Sequence, residues 1–225
     1  SAVLMIIFLV NELRVSSPLI KLSIFKRRNV TGGTLVQLLM PAAMFGMFFY
    51  LSIYMQHILH YSPIMTGVAN LPFTLTIMAV AGTLSKKMGS LNPKAILVIA
   101  PLVVAAGLVF FSFIPEHASY VTNILPGIIL MAAGMAAVFV TTTLMTTSGV
   151  SHEESGLVSG LLNTGQQIGG AIGLAVLTVI STAVTRSHMT AAGNNPEALT
   201  GALVHGFQRG FLAAAGFAVA SSLIA

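Results

Sequence analysis

The sequence predicts an all-α membrane protein, a bundle of six transmembrane helices with the end of a truncated helix before it. Of the 225 residues, 56% are hydrophobic and only 7% are charged, and the mean hydropathy is +0.93. Soluble domains carry about a quarter of charged residues, so a soluble globular domain, a disordered chain and a nucleic-acid-binding module are excluded. The apolar stretches are continuous and do not alternate, which argues against a strand barrel.

Six apolar stretches are long enough to cross a bilayer. A spanning helix needs about 20 mostly apolar residues, since each residue adds about 1.5 Å across a hydrocarbon core of roughly 30 Å. The stretches of this length are residues 30–55, 63–85, 94–114, 122–147, 156–184 and 205–225. Together they predict one six-helix bundle over residues 30–225.

Two further segments precede the bundle. Residues 1–11 are apolar but too short to span, and they lack the basic start and the cleavage site of a signal peptide. We expect them to be the end of a transmembrane helix whose first part lies upstream. Residues 12–29 combine apolar and basic side chains, which predicts an amphipathic linker on the cytoplasmic membrane surface.

The basic residues predict how the chain is oriented. Eight of the ten lie in the segment 12–29 and in the loop after the second span, and two crossings place these segments on the same side. Arg186 and Arg209 lie on the opposite side. The positive-inside rule puts the basic segments in the cytoplasm and makes this a multi-pass protein of the cell (inner or plasma) membrane. The loops expected outside are residues 56–62, 115–121 and 185–204.

The fifth predicted span has small residues on two faces. Gly165, Gly169 and Gly173 recur every four residues, a spacing typical of close helix contacts in membranes. The opposite side carries Gly156, Gly160, Asn163, Gln167 and Gly170. We therefore expect this helix to have protein neighbours on both faces and no exposure to lipid.

Three amide side chains lie in the same span: Asn163, Gln166 and Gln167. An amide in hydrocarbon needs a polar partner, because no water is present to bond it. Two interpretations stay open. The amides hydrogen-bond to neighbouring helices and hold them together, or they line a gate or a water-filled cavity.

Two other spans carry methionine and phenylalanine at helical spacing. The stripes are Gln37, Pro41, Met44, Phe48 and Ser52 in the first span, and Met131, Met135, Val138, Thr142 and Met145 in the fourth. Such side chains form an adaptable apolar wall that suits mixed hydrophobic ligands, although plain helix packing uses the same pattern. The candidate substrate-cavity residues are Gln37, Met44, Phe48, Met131, Met135 and Thr142.

The second span combines a proline with a basic end. Pro72 lies inside the predicted helix beside Asn70, and a proline there removes a backbone hydrogen bond and kinks the helix. The span leads into a short cytoplasmic loop. We assign a loop motif there, formed by Gly82, Lys86, Lys87 and Gly89. We interpret the lysines of this loop as an orientation signal.

Catalytic and metal-binding motifs are absent from the sequence. It contains no Cys and no Asp, no HExxH or GxSxG motif and no P-loop, so we expect no enzyme activity, no metal and no bound cofactor. His57 and His60 share a predicted outer turn, where we expect interfacial polar residues and not a metal pair.

Four stretches carry a family resemblance: PLIKLSIFKRRN at residues 18–29, YLSIYMQHILHYSPIMTGVANLP at 50–72, GTLSKKMG at 82–89 and SGLVSGLLNTGQQIGGAIGLAVL at 155–177. In this order they resemble the C-terminal half of a major facilitator superfamily transporter. The most similar branch is that of the fourteen-helix drug:proton antiporters of the EmrB/QacA type. The resemblance covers essentially the whole chain.

The resemblance implies an alternating-access carrier of two bundles, of which this chain is the second. The first and fourth spans would border the cavity, the third and sixth would face lipid, and the second and fifth would face the missing N-terminal bundle. The residues assigned to inter-bundle packing and gating are Asn70, Pro72, Asn163, Gly165, Gln166, Gln167, Gly169 and Gly173. Lys86 stands where the loop motif usually has an acid, so charge-relay gating by this loop is not expected.

These observations predict a secondary active transporter, a proton-coupled multidrug efflux antiporter. Its expected partners are the lipid bilayer, the missing N-terminal bundle and lipophilic or cationic small molecules, but no nucleic acid. All five acidic residues lie outside the predicted spans, so the titratable group that proton coupling requires is expected outside this fragment. The alternatives are a carrier of the same fold for a specific metabolite or siderophore, and a non-transporting membrane scaffold.

Overall fold

A computed structural model describes Asn11 and residues 28–147, 152–192 and 196–224 of the chain. The predicted helix end at residues 1–11 and the linker at 12–29 lie outside the described residues, apart from Asn11 and the last two linker positions. Every regular element in the described ranges is helical. The predicted all-α fold class is therefore confirmed.

The described part of the chain contains seven α-helices. They are α1 (Arg28–Ile53), α2 (Pro63–Ala69), α3 (Leu71–Lys87), α4 (Pro93–Phe111), α5 (Leu125–Thr147), α6 (His152–Ala192) and α7 (Pro196–Ile224). A π-helical turn, Tyr54–Ile58, extends α1, and another, Tyr120–Ile124, leads into α5. Six stretches within these elements are long and apolar enough to cross a membrane: Val30–Ile58, Pro63–Ser90, Pro93–Phe111, Tyr120–Thr146, Gly156–Thr190 and Ala198–Ile224.

The second span is broken at Asn70, where the sequence predicts one kinked helix. Pro72 has no N–H to donate to Val68, and its ring would clash with that carbonyl group in a continuous helix. The chain instead turns at Asn70, whose side-chain amide donates to the Thr66 carbonyl oxygen at 2.8 Å. The backbone N–H of Phe73 donates to the Asn70 carbonyl oxygen at 3.1 Å and starts α3. Pro72 therefore separates α2 from α3.

The predicted outer loop at residues 185–204 is wrong over most of its length. Helix α6 continues to Ala192 and α7 already begins at Pro196, a residue that suits a first helical turn because its missing N–H needs no partner there. The two helices stay in contact toward this connection, where the rings of His188 and His205 stack with centroids 4.9 Å apart.

The core lies between α1, α4, α5 and α7. Tyr50 of α1, Phe111 of α4 and the α7 residues Phe207 and Phe211 form a buried aromatic cluster, with ring centroids 5.3–5.7 Å apart. Helix α6 packs on α1 and α7, whereas α3 packs mainly on α5. Most of α3 is exposed, and Phe73 is its one buried residue. The bundle thus leaves α3 and one side of α6 open at its surface.

Candidate functional site at the α1–α6 face

The glycine stripe of α6 lies against the backbone of α1. A β-carbon on Gly165 would sit 3.4 Å from the Thr34 carbonyl oxygen, and one on Gly169 would overlap the main chain of Leu38. One turn further, Gly173 lies against Ala42 of α1 in the same way. The contacted α1 residues, Thr34, Leu38 and Ala42, follow the same order as the three glycines and are also four residues apart. Helices α1 and α6 therefore run parallel and touch along more than two turns.

This contact corrects part of the predicted inter-bundle surface. Gly165, Gly169 and Gly173 are buried against a helix of the same bundle, so their assignment to packing between bundles is wrong. The reason is that a stripe of small residues specifies close approach, but does not specify which helix approaches. The other residues assigned to that surface, Asn70, Pro72, Asn163, Gln166 and Gln167, take no part in this glycine contact, and their assignment stays a prediction.

The amides of α6 lie beside this contact and point away from the core. Asn163 and Gln167 are exposed, and Gln166 is half-buried. The ring of Phe45 in α1 covers Gly170, which has no side chain to displace it. We name the exposed surface formed by Phe45, Asn163 and Gln167 the α1–α6 face. It combines an aromatic ring with two amides that require polar partners within a membrane.

A second exposed strip of α6 is wholly apolar. Ile168, Ile172, Val176 and Val179 are exposed, with Val179 at 69%. The expectation that α6 has protein neighbours on both faces is therefore not met within the described part of this chain. A strip of large apolar side chains is suited to lipid, whereas the amides next to it are not.

Two predicted cavity residues of α1, Met44 and Phe48, are half-buried at the edge of the core. Phe48 meets Phe73 of α3 edge to face, with ring centroids 4.8 Å apart and an interplanar angle of 73°. The assignment of Met44 and Phe48 to a substrate cavity stays a prediction.

The α5 residues predicted for the same cavity are core residues. Met131 and Met135 are completely buried, and Met131 fills the space beside Gly107 of α4. A cavity role for these two residues is therefore wrong in this conformation. Gly107 and Gly134 permit a close contact between α4 and α5, and this contact buries Met131 and Met135. The spacing of the methionines alone does not reveal it.

Gln37 and Thr142 are also buried, so they do not line an open cavity. Gln37 is 4% exposed and Thr142 is completely buried, and the Gln37 Oε1 and Thr142 Oγ1 atoms have no hydrogen-bond partner among the residues that the structure describes. Thr146 donates its hydroxyl to the Thr142 carbonyl oxygen at 2.6 Å. Both residues are polar groups held inside the bundle, which costs free energy when they lack a partner.

Two tyrosines form hydrogen bonds between elements at the end of the bundle opposite the lysines of the loop motif. Neither was among the predicted site residues. The Tyr54 hydroxyl donates to the Pro115 carbonyl oxygen at 2.5 Å, and the Tyr120 hydroxyl donates to the Ala69 carbonyl oxygen at 2.6 Å. The second bond joins the π-helical turn before α5 to Ala69, the last residue of α2, directly before the break at Asn70. Tyrosines at the ends of predicted spans are the signal that could have indicated such contacts, since one end of the ring is apolar and the other polar.

The predicted loop motif is exposed but largely helical, so its assignment to a loop is wrong for Gly82, Lys86 and Lys87, which lie in the last turns of α3. We call the end of this helix, formed by Lys86, Lys87 and Gly89, the basic turn. Gly82 is exposed and has open space around it, and Lys86 and Lys87 close α3 with exposed side chains. Gly89 lies in the short 3-10 turn that follows. Asn70 and Pro72, at the other end of this span, are half-exposed, and their role toward another bundle stays a prediction.

Comparisons with known proteins identify one family and several similar proteins. A family model described as Major Facilitator Superfamily matches residues 5–174. The chain is 32% identical to the puromycin resistance protein pur8 of Streptomyces alboniger, over 99% of this chain and 45% of that protein. It is 32% identical to the cephamycin export protein CmcT of Amycolatopsis lactamdurans (88% and 41%). It is 30% identical to the tetracenomycin C resistance and export protein of Streptomyces glaucescens (77% and 32%). The chain thus spans less than half the length of these relatives.

Proposed function

We propose, since this chain belongs to the Major Facilitator Superfamily, that it forms one of two helical bundles of a multidrug exporter that works by alternating access. The observation that carries this proposal is the similarity along 99% of the chain to a protein named for puromycin resistance. Other relatives are named for cephamycin export and for tetracenomycin C resistance and export. A further relative, 28% identical over 75% of this chain, is named a multidrug resistance protein B homolog, and its name supports a broad substrate range.

The exposed surface of the bundle supports the existence of an apposed second bundle. Asn163 and Gln167 are exposed on α6 at a depth where hydrocarbon would leave them without partners. A facing protein surface or a water-filled cavity supplies those partners. We therefore assign the α1–α6 face to the boundary with the N-terminal bundle, and the half-buried Met44 and Phe48 to the adjoining cavity wall.

Transport is proposed to be driven by exchange with protons. The described spans contain no Asp or Glu, and Glu116 lies exposed between α4 and α5. Coupling to protons needs a group that titrates within the membrane, so that group belongs to the other bundle of the intact protein. The aromatic and methionine side chains of this bundle supply apolar contacts for lipophilic cations.

The sidedness follows from the charge distribution. Lys86, Lys87 and Lys94 lie at one end of the bundle, and Arg186 and Arg209 near the other. Together with the basic residues between positions 12 and 29 of the sequence, this basic excess supports a cytoplasmic position for the first end and a location in the cell membrane.

Drug accumulation in cells tests the proposed function. The intact protein is expressed in a susceptible strain that lacks its own exporters, and puromycin accumulation is measured with and without a protonophore. We expect lower accumulation than in control cells, and loss of the difference when the gradient collapses. Unchanged accumulation of puromycin and of unrelated lipophilic cations would contradict the proposal, and export of one compound alone would favour a specific carrier.

A further inference from the structure

A groove on the outer surface of the bundle lies directly beside the basic turn. It has a volume of about 430 Å³ and runs between α3, α4 and α5. Its floor consists of small residues, including Ala133, Gly134 and Ala137 of α5, and its walls include Leu84 and Ile99. The volume lies within the roughly 300–1,000 Å³ typical of small-molecule sites.

The groove is open at the surface of the bundle and almost free of polar atoms. Ile99 is 58% exposed and Leu91 is 41% exposed, so the apolar lining is accessible from the outer face of α4. From Asn92 to Val103 the groove follows α4 for about 16 Å at 1.5 Å per residue. This distance is about half of the roughly 30 Å hydrocarbon core, which is the depth of one leaflet.

Three exposed lysines lie close in sequence to residues that line the end of the groove. Lys87 follows Leu84 by three residues and so lies on the same face of α3, Lys86 precedes Lys87, and Lys94 lies between the lining residues Asn92 and Ala95. No acidic residue occurs between positions 13 and 115 of the sequence. The three positive charges therefore have no compensating carboxylate in α2, α3, α4 or the turns between them.

The position of Lys94 points to an external anion. Asn92 caps α4 by accepting a hydrogen bond from the Lys94 backbone N–H at 3.1 Å, and Pro93 occupies the first turn. Lys94 thus stands at the positive end of the helix dipole, where a cation is unfavourable and an anion is favoured. An anionic group bound here would be stabilised by the lysines and by the helix end together.

We propose that this groove is a site for one anionic phospholipid, with an acyl chain between α3, α4 and α5 and its phosphate at Lys86, Lys87 and Lys94. The apolar lining and the one-leaflet depth match an acyl chain, and the three lysines, which have no carboxylate in α2, α3 or α4, match the headgroup. Basic pockets between membrane helices bind anionic headgroups by this combination of contacts. A purely orienting role for the lysines would need no groove.

Native mass spectrometry of the purified intact protein tests the site with phosphatidylglycerol and phosphatidylcholine of identical acyl chains. We expect one phosphatidylglycerol to be retained in preference to phosphatidylcholine. Lys94→Gln weakens its binding about fivefold, and Lys94→Arg restores it. Arg186→Gln, at the opposite end, is the matched charge control and leaves it unchanged.

The acyl-chain half of the site is tested separately. Ala95 is exposed and lines the groove, so Ala95→Phe fills it without entering the core and lowers phosphatidylglycerol retention. Ala106→Phe, exposed on the same helix but outside the groove, has no such effect. Equal retention of both lipids, native retention by Ala95→Phe, or full displacement by soluble glycerol phosphate would overturn the proposal.

Discussion

Gly169 of α6 lies so close to Leu38 of α1 that a β-carbon at position 169 would overlap the Leu38 carbonyl oxygen. The neighbouring contacts of Gly165 and Gly173 extend this close approach along both helices. Without a hydrophobic effect between helices in lipid, such van der Waals packing is a main source of association. Helices α1 and α6 are therefore expected to move as one unit when the bundle changes its position.

The Gly169 contact predicts a large difference between two glycine-to-alanine changes. Gly169→Ala forces the α1 and α6 backbones apart and destabilises the bundle by about 1–3 kcal/mol. Gly216→Ala, at an exposed α7 position with open space around it, stabilises by up to about 1 kcal/mol because alanine favours the helix. Thermal unfolding of the detergent-solubilised protein measures both. Equal melting temperatures for the two variants would contradict the close contact.

The exposed amides predict a loss of transport without a loss of folding. Asn163 and Gln167 are exposed in the described part of the bundle, so Asn163→Leu combined with Gln167→Leu should change the free energy of unfolding by less than about 0.5 kcal/mol. Drug efflux should fall at least about tenfold, since that corresponds to about 1.4 kcal/mol and two polar partners are lost.

Ile172→Leu is the matched control, because Ile172 is exposed on the apolar strip of the same helix. It should retain both folding and efflux. Full efflux by the double amide variant would remove the α1–α6 face from the transport mechanism and favour a role outside transport for these side chains.

The Phe48–Phe73 pair predicts a measurable coupling between α1 and α3. Edge-to-face aromatic pairs contribute about 0.5–1.5 kcal/mol beyond burial. A double-mutant cycle of Phe48→Leu and Phe73→Leu should return an interaction energy in that range. The same cycle with Leu75→Ala, at a position that is 63% exposed, should return none. Zero coupling in the first cycle would mean that the two rings do not hold α3 in place.

The unpaired hydroxyl of Thr142 predicts a stabilising substitution. Thr142→Val keeps the shape of the side chain and removes a buried hydroxyl that lacks a partner, so the bundle should gain about 1 kcal/mol. Thr146→Val should lose about 1 kcal/mol, because the Thr146 hydroxyl donates to the Thr142 carbonyl oxygen. Unfolding of both variants in detergent measures the difference. Destabilisation by Thr142→Val would indicate a bound water or ligand at that hydroxyl.

The spans could be predicted from the sequence because length and hydropathy alone determine them. Their ends could not. The apolar signal stops near Val184, but α6 continues to Ala192 because a helix satisfies its own backbone outside the membrane as well as inside it. Pro72 predicts a distortion of the second span near Asn70. It does not predict whether the helix is kinked or interrupted, because that depends on the neighbours of the proline.

The candidate site was predictable only as a set of helix faces. The spacing of Gly165, Gly169 and Gly173 correctly indicates a close contact, but no local feature identifies α1 as the partner. Met131 and Met135 form a regular stripe that is compatible with a cavity wall and with a core. Their contact with α4 at Gly107 makes them core residues. The periodicity of one helix cannot predict which other helix packs against it.

The central claim, that the protein exports lipophilic cations in exchange for protons, is tested most directly by transport in proteoliposomes. The intact protein is reconstituted with an acidic lumen, the membrane voltage is clamped, and uptake of a permanently charged lipophilic cation is measured against protein-free vesicles. We expect uptake into the acidic lumen that stops when the pH gradient is dissipated and is reduced in the Asn163→Leu, Gln167→Leu variant. Uptake that is independent of the pH gradient, or absent altogether, would contradict the claim.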